Sequence, residues 1–191
     1  MRHLHLEKKG IRGLAIAESF SQASKRSVLS GIVMSTDLII DGFVIGHSTV
    51  GGDDATDTIL NMHKRLDRPD VSFVLISGIV ISLYNIIDLK RISEETDLPV
   101  IGVTYEESDG IEEAIKQHFP DSYESKLAEY SNLGSREKIT LHTSHDLYVR
   151  NEGCTVLEVK QLLDKITLQG SMPEPLRISQ MLANTLLKTK F

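Results

Sequence analysis

Cysteine is almost absent from this 191-residue chain, and tryptophan is absent altogether. The single Cys154 excludes a disulfide framework and a cysteine-rich zinc site within one chain. The first ten residues, MRHLHLEKKG, lack the apolar core of a secretory signal peptide. From these two absences we expect a cytoplasmic protein.

A surplus of positive charge is also lacking, since 21 Lys and Arg residues face 27 Asp and Glu residues and leave a net charge of −6. Broad affinity for nucleic acid requires a basic surface, so only a local basic patch could supply it here. Residues 71–87 carry no charge, but three serines, a glycine, a tyrosine and an asparagine interrupt them. This segment predicts a buried strand with its loop, and we expect no membrane partner.

The chain does contain an ordered succession of apolar and amphipathic segments. Strands are predicted over 11–17, 27–34, 38–50, 71–77 and 98–105, and a polar hairpin over 137–151 around Ser144-His145. Helices are predicted over 53–66, 86–97, 108–119, 122–133, 155–166 and 175–190. Three early strands followed by strand–helix alternation indicate one α/β domain, 1–191, with a mixed sheet and helices on both faces, in the order of the ribonuclease H-like fold.

Two turns compete in the early strands. Thr36-Asp37 would join the second and third strands as a hairpin, whereas a turn at Asp41-Gly42 leaves less room for strands around it. We therefore predict a long third strand with a bulge at Gly42.

Five segments, in order along nearly the whole chain, together resemble one family. They are IRGLAIAES, VGGDDAT, LISGIVISLYN, LPVIGV and PEPLRIS. The set resembles the archaeal endonuclease dU family, formerly a family of unknown function, which is similar to endonuclease V. The resemblance implies a ribonuclease H-like, endonuclease V-like fold and a metal-dependent endonuclease acting on deoxyuridine-containing, deaminated DNA in DNA repair. It also implies DNA as the partner and Mg²⁺ or Mn²⁺ as the cofactor.

The leading acids of the family's motifs fall on residues without a carboxylate in this chain. They align with Ala17, Gly51 and Ser77. Hard divalent cations prefer charged oxygen ligands, and metal-assisted hydrolysis needs several of them to converge. At these three degenerate positions the site therefore lacks the side chains that the chemistry requires.

Three acids beside the degenerate positions remain candidates by the same resemblance. Glu18 and Asp54 would be the residual catalytic residues, and together with Asp53 they would be the metal ligands. Glu18 can replace an acid at Ala17 only if the strand ends or bulges there, because successive side chains of a strand point to opposite faces. The alternative for Asp53 and Asp54 is a helix cap, a position that favours aspartate by itself.

Three further residues are candidates for nucleic-acid binding. Tyr84 or Asn85 could stack against or hydrogen-bond an everted base, with loop packing as the alternative. Arg177, near a helix start, could face phosphate or pair with Glu174.

Two functions of different classes follow from these residues. The first is the metal-dependent endonuclease that the resemblance implies. The second is a catalytically inactive relative, a pseudo-enzyme that serves as a nucleic-acid-binding or protein-interaction module, and the missing acids favour it. A third option is different hydrolytic chemistry in the same cleft, although Ser77 lacks the motif and the paired base of a nucleophilic serine.

Overall fold

The computed structural model describes residues 4, 6–8, 10–107, 110–121 and 123–189. The strands are β1 Arg12–Ser19, β2 Arg26–Ser35, β3 Ile40–Thr49, β4 Val71–Ser77, β5 Val80–Ile81, β6 Asn85–Ile86, β7 Val100–Thr104, β8 Glu137–Thr140 and β9 Asp146–Glu152. The helices are α1 Ala55–Leu66, α2 Leu89–Thr96, α3 Glu112–His118, α4 Tyr123–Asn132, α5 Val156–Ile166 and α6 Glu174–Lys188.

Seven strands form one mixed sheet in the order β3-β2-β1-β4-β7-β9-β8. The central strands β1, β4 and β7 are parallel, while β2 and β3 on one side and β9 and β8 on the other are antiparallel to their neighbours. The antiparallel meander, the parallel centre and the predicted hairpin are therefore confirmed. The two-stranded sheet of β5 and β6 stands apart, in the loop after β4.

Alternating side chains of the sheet fill two cores, one on each face. On one face, Leu14 and Ile16 of β1 pack with buried residues of α1 and α2. On the other face, Ala15 packs in the cluster that contains the apolar side of α5 and the start of α6. Residues of even number in β1 therefore face α1, and residues of odd number face the opposite layer. This alternation fixes the directions of Ala17 and Glu18 at the end of the strand.

Several predicted boundaries shifted in the structure. The predicted helix over 86–97 begins only at Leu89, because the residues before it pair in the β5–β6 hairpin. The predicted helix over 108–119 is observed as α3, and positions 108 and 109 lie outside the described residues. Residues 71–87 form β4 and the hairpin, and none of the described helices is long and apolar enough to cross a membrane.

Two carbonyl groups of the edge strand β3 accept hydrogen bonds from arginines of α1 and of the residues after it. Arg65 donates a hydrogen bond to the carbonyl of Ile45 at 2.9 Å, and Arg68 donates one to the carbonyl of Asp41 at 3.1 Å. The register with β2 shifts between Gly42 and Ile40, so the predicted bulge is present and leaves Asp41 as the extra residue. The long edge is thus not an open template for another strand.

Candidate functional site

Ala17 and Ser77, two of the positions at which the resemblance implies an acid, lie side by side. Ile16 and Ile76 form the last registered pair of the parallel strands β1 and β4, and Ala17 and Ser77 follow directly. Because Ala15 and its partner Leu75 share one core, Ala17 and Ser77 point to that same face. Carboxyl ends of parallel strands are where open α/β sheets bind ligands. Two acids at these positions would face one another, as the resemblance requires.

Glu18 does not point to the face of Ala17, the position at which the resemblance implies an acid. The strand continues regularly past this point, with Glu18 paired to Leu29 and Ser19 paired to Val28 of β2. Since neither an end nor a bulge occurs, Glu18 points to the face of α1, away from Ala17. The condition for Glu18 to take over the acid's place is therefore not met.

The Glu18 carboxyl instead lies beneath the loop that follows β5. Its Oε2 accepts a hydrogen bond from the backbone N–H of Ser82 at 3.2 Å, while its Oε1 and the Ser82 Oγ are buried without a hydrogen-bond partner among the described residues. Burial raises the pKa of Glu18, and the nearby hydroxyl groups of Ser27 and Ser82 and the Ser82 amide offset part of this rise. A carboxyl with these surroundings binds its proton more tightly than one in water.

Between β5 and β6 the chain forms a left-handed turn of three residues without a glycine. The φ angles of Ser82, Leu83 and Tyr84 are 24°, 56° and 69°. Such angles are costly for residues with a side chain, and runs of them are rare. The carbonyl of Ser82 accepts a hydrogen bond from the N–H of Gly51 at 2.7 Å, so the turn connects the loop after β3 with Glu18 of β1.

Asp54 precedes α1, but its side chain does not cap the helix. Both of its carboxylate oxygens accept hydrogen bonds from Thr49: the backbone N–H lies 2.9 and 3.1 Å from them, and the hydroxyl 2.8 Å from Oδ2. Asn85 donates a further bond at 2.9 Å. Burial alone would raise the pKa of Asp54, but these hydrogen bonds outweigh it and lower the pKa. The carboxylate is therefore engaged within its own loop.

Asn85 supplies the cap that Asp54 does not. The side chain is fully buried, and its Oδ1 accepts a hydrogen bond from the N–H of Ala55, the first residue of α1, at 3.1 Å. Its Nδ2 donates to the carbonyl of Thr49 at 3.0 Å and to Asp54. All three bonds are internal, and base contact by this amide would require one of them to break.

Tyr84 packs on the end of α3. Its ring centroid lies 5.1 Å from that of His118 and 5.8 Å from that of Phe119, the second pair edge to face. The ring is half-buried. Loop packing, one of the two alternatives for Tyr84, is thus observed, and stacking against a base stays a prediction.

Asp53, the third acid near the degenerate positions, binds a lysine. Its carboxylate contacts the Nζ of Lys126, which comes from α4 and has a side chain only 6% exposed. The Asp53 side chain itself is 69% exposed. A metal at Asp53 would therefore compete with an ammonium group that is already in place.

The acids near the strand ends do not fit the magnesium or manganese site that the resemblance implies. Glu18 faces away from Ala17, Asp54 is engaged by Thr49 and Asn85, and Asp53 is engaged by a lysine. No group of three His, Cys, Asp or Glu side chains that could hold a metal occurs in the part of the chain that the structure describes.

A pocket of about 390 Å³ opens beside Ser77, between the carboxyl ends of β4 and β7. In its wall, the Oγ of Ser77 lies 3.5 Å from the phenolic oxygen of Tyr105. Burial raises the pKa of Tyr105 to about 12, although the hydrogen bond with Ser77 acts in the opposite direction. Near neutral pH the Tyr105 hydroxyl therefore remains protonated and can donate a hydrogen bond to a ligand.

Two arginines line the same pocket. Arg150 of β9 donates to the carbonyl of Gly134 at 2.8 Å and lies 5.7 Å from the ring centroid of Tyr130. Arg136 lies 5.2 Å from the ring centroid of Tyr148. Arg150 forms no ion pair with a carboxylate of a described residue, so its charge is available to an anion.

Arg177 pairs with Glu174, the second of the two alternatives that the sequence offered. Its Nε and Nη2 donate to Oε2 of Glu174 at 2.9 and 2.6 Å, within the first turn of α6. The Glu174 side chain is only 8% exposed, so the guanidinium group compensates a nearly buried charge. This ion pair is structural, and phosphate contact by Arg177 stays a prediction.

Sequence reasoning missed the groups that give the pocket its chemistry and the lysine that binds Asp53. Tyr105 could have been found, because it directly follows a buried parallel strand, where ligand groups concentrate. No local pattern marks Arg150 or Lys126, because their partners come from distant parts of the chain.

The fold is similar to that of solved structures of known and unknown function. A protein of unknown function from Archaeoglobus fulgidus has a TM-score of 0.80 and 27% identity, with 93% of this chain and 99% of that chain covered. The endonuclease V of Ciona intestinalis, solved with DNA containing an inosine followed by a ribo-adenosine, has a TM-score of 0.62 and 13% identity over 96% and 88% of the two chains. The endonuclease V of Streptomyces avermitilis has a TM-score of 0.65 and 15% identity, covering 94% and 83%. The endonuclease V-like α/β fold is thereby confirmed.

Sequence comparison identifies the family of the chain. A UPF0215 protein of Pyrobaculum calidifontis is 32% identical over 172 residues, 90% of this chain and 94% of its own length. A UPF0215 protein of Methanosarcina barkeri is 30% identical over 183 residues, covering 94% and 92% of the two chains. The family model described as endonuclease dU matches residues 9–187. The chain therefore belongs to the endonuclease dU family.

Proposed function

We propose that this chain binds a nucleic-acid strand at the carboxyl ends of β4 and β7 and does not cleave it by a divalent-metal mechanism. One observation carries the proposal: the pocket beside Ser77 is lined by two guanidinium groups and two tyrosine rings, together with the carboxylate of Glu106, so that cationic groups outnumber acidic ones in its lining. Guanidinium groups attract phosphate, whereas carboxylates without a bound metal repel it.

The proposed absence of metal-dependent cleavage is supported by the side chains at the strand ends, which would have to hold the metal ions. Metal-assisted phosphodiester hydrolysis needs ions that activate water and stabilise an in-line displacement, and converging acids hold those ions. Ala17, Gly51 and Ser77 supply no carboxylate. The nearby Asp53 and Asp54 are engaged by other groups.

Binding is supported by the chemistry of the pocket. Proteins bind single strands by combining positive charge with rings on which bases stack, and Arg150 with Tyr130 offers both. The volume of about 390 Å³ is large enough for one nucleotide-sized group. Because the whole chain carries a net charge of −6, we expect this affinity to be local and sensitive to salt.

Metal-dependent cleavage of deoxyuridine-containing DNA is the second candidate. The match of the endonuclease dU family model over residues 9–187 favours it. Glu18 and Asp54 would then be the residual catalytic acids, with Mg²⁺ or Mn²⁺ as cofactor. The catalytically inactive protein-interaction module remains the third outcome of the test.

The test uses a labelled single-stranded oligonucleotide containing deoxyuridine, with the matching duplex as a second substrate. Cleavage is followed on gels in Mg²⁺ and in Mn²⁺, and binding is titrated at several salt concentrations. The variant Arg150→Met removes one charge from the pocket. Arg91→Met is the matched control, because Arg91 of α2 pairs with Asp57 of α1 and Glu95 of α2.

We expect binding without cleavage. The slope of the logarithm of the binding constant against the logarithm of the salt concentration should be smaller in magnitude by about 0.7 in Arg150→Met and unchanged in the control. Metal-dependent cutting that disappears in Glu18→Ala or Asp54→Ala would establish the endonuclease and overturn the proposal. If the wild-type protein binds neither strand at low salt, nucleic-acid binding is refuted and the protein-interaction module gains support.

A further inference from the structure

Lys126 of α4 is a buried lysine, with only 5% of the residue exposed to solvent. Burying an ammonium group is costly unless each of its three N–H donors finds an acceptor. The Nζ donates to the carbonyl of Gly52 at 3.2 Å, to the carbonyl of Tyr84 at 3.0 Å and to Oδ1 of Asp53. All three donors are therefore satisfied, and the charge is compensated.

The three acceptors come from two loops that are separate in sequence. Gly52 and Asp53 belong to the loop between β3 and α1, and Tyr84 belongs to the left-handed turn. Two carbonyl oxygens and one carboxylate are the kind of ligands that hard divalent cations bind in proteins. The ring of Phe119 lies 5.3 Å from the ammonium and adds a further favourable contact for a cation.

We infer that these three oxygens form a cation site whose resident cation is the Lys126 ammonium. The lysine joins the two loops beside the degenerate positions, as a bound metal ion would. A divalent cation cannot share this site, because two positive charges at a few ångströms repel strongly. The inference does not depend on nucleic-acid binding and would hold for a protein-interaction module as well.

The test is to empty the site and offer a metal. In Lys126→Ala the three acceptor oxygens are still present in their loops, but the ammonium group that they bind is gone. We expect this variant to melt at a lower temperature than the wild type in EDTA. We also expect Mn²⁺ or Mg²⁺ alone to raise its melting temperature, with a Kd on the order of 10⁻³ M or tighter, the range of weak oxygen-ligand sites.

Two controls separate a cation site from an ordinary ion pair. The double variant Lys126→Ala/Asp53→Asn should lose the response to Mn²⁺, because the charged ligand is gone. Lys116→Ala removes an exposed lysine that pairs with Glu113 and should respond to Mn²⁺ no more than the wild type. A folded Lys126→Ala protein without a gain in Mn²⁺ affinity over the wild type would overturn the inference.

If Lys126→Ala fails to fold, Lys126→Met keeps the apolar stem, and the wild type can be measured directly. In ¹⁵N-labelled protein, the Lys126 ammonium should give a slowly exchanging NMR signal that weakens and shifts in Asp53→Asn. The complete absence of a protected lysine ammonium signal in the wild type would equally refute the site.

Discussion

Ala17 and Ser77 are neighbours on one face of the sheet, each directly after the last registered pair of two parallel strands. Neighbouring strands lie about 4.8 Å apart, so acids at these two positions would be close enough to share a metal ion. The fold therefore offers the geometry of a carboxylate pair at two positions where this sequence has an alanine and a serine.

The double variant Ala17→Asp/Ser77→Asp tests whether that geometry still supports a metal site. In EDTA we expect it to be destabilised by about 3 kcal/mol or more, because two adjacent carboxylates repel and Ala17 is 1% exposed. This corresponds to a melting temperature lower by about 6–12 °C. Mn²⁺ should restore much of the loss, as measured by thermal denaturation. Ala17→Asn/Ser77→Asn, with similar volume and no charge, should not respond to Mn²⁺, and an equal response of both variants would contradict the prediction.

We predict that Asp54 contributes to the free energy of unfolding. Asp54→Ala leaves the N–H of Thr49 without its acceptor and removes one of the two hydrogen bonds that the Asn85 amide donates, and it should cost about 2–3 kcal/mol. Because hydrogen bonds lower the pKa of Asp54, its contribution is present above the unfolded pKa of 3.8 and is lost as the pH falls through the lower folded pKa. Urea denaturation at pH 7 and below pH 3.8 measures both effects.

The matched control for this experiment is Asp57→Ala, which removes a carboxylate of the same helix. The Asp57 side chain is 58% exposed and pairs with Arg91, so its loss should cost less than about 1 kcal/mol. Equal losses for the two variants would show that the Asp54 network contributes nothing special.

Glu18 should have the opposite dependence on pH. Burial raises its folded pKa above the value of 4.5, so its contribution to stability is fully present below pH 4.5 and is lost as the pH rises through the folded pKa. We therefore expect Glu18→Gln to raise the melting temperature at pH 7. The difference from the wild type should shrink as the pH falls through the folded pKa toward 4.5. A variant that is less stable than the wild type at pH 7 would argue against a buried charge.

The left-handed turn predicts an unusual response to glycine. Leu83→Gly removes a side chain that is 39% exposed and relieves a φ of 56°. We expect a free energy of unfolding that is unchanged or higher by up to about 1 kcal/mol. Leu157→Gly, at an exposed position of α5, should lower it by about 1 kcal/mol. Equal losses in both variants, measured by urea denaturation, would mean that the turn stores no strain.

Local sequence patterns predicted most of the helices and strands, because these elements depend on local interactions. β4 matches its predicted bounds, 71–77, and Thr155 caps α5 through a capping box with Glu158. The Thr36-Asp37 turn and the hairpin around Ser144 were also visible, because turn residues mark them. What the hairpin pairs with was not predictable, because its place beside β7 depends on tertiary packing.

The resemblance named the candidate residues, but their contacts were not predictable from the sequence. The resemblance located Ala17 and Ser77, but the direction of Glu18 depended on whether the strand continued. Lys126 gave no signal, because its partners Tyr84 and Asp53 lie 42 and 73 positions away in the chain. Interactions at such separations follow from the assembled fold and leave no local pattern.

The arginines along β3 have a consequence for the protein in concentrated solution. Another strand could pair with this edge only after displacing Arg65 from the carbonyl of Ile45 and Arg68 from that of Asp41. Both displacements would also bring like charges of two molecules together. The ten-residue edge strand is therefore a less open template for a strand of another molecule, although Phe43 on it remains 57% exposed.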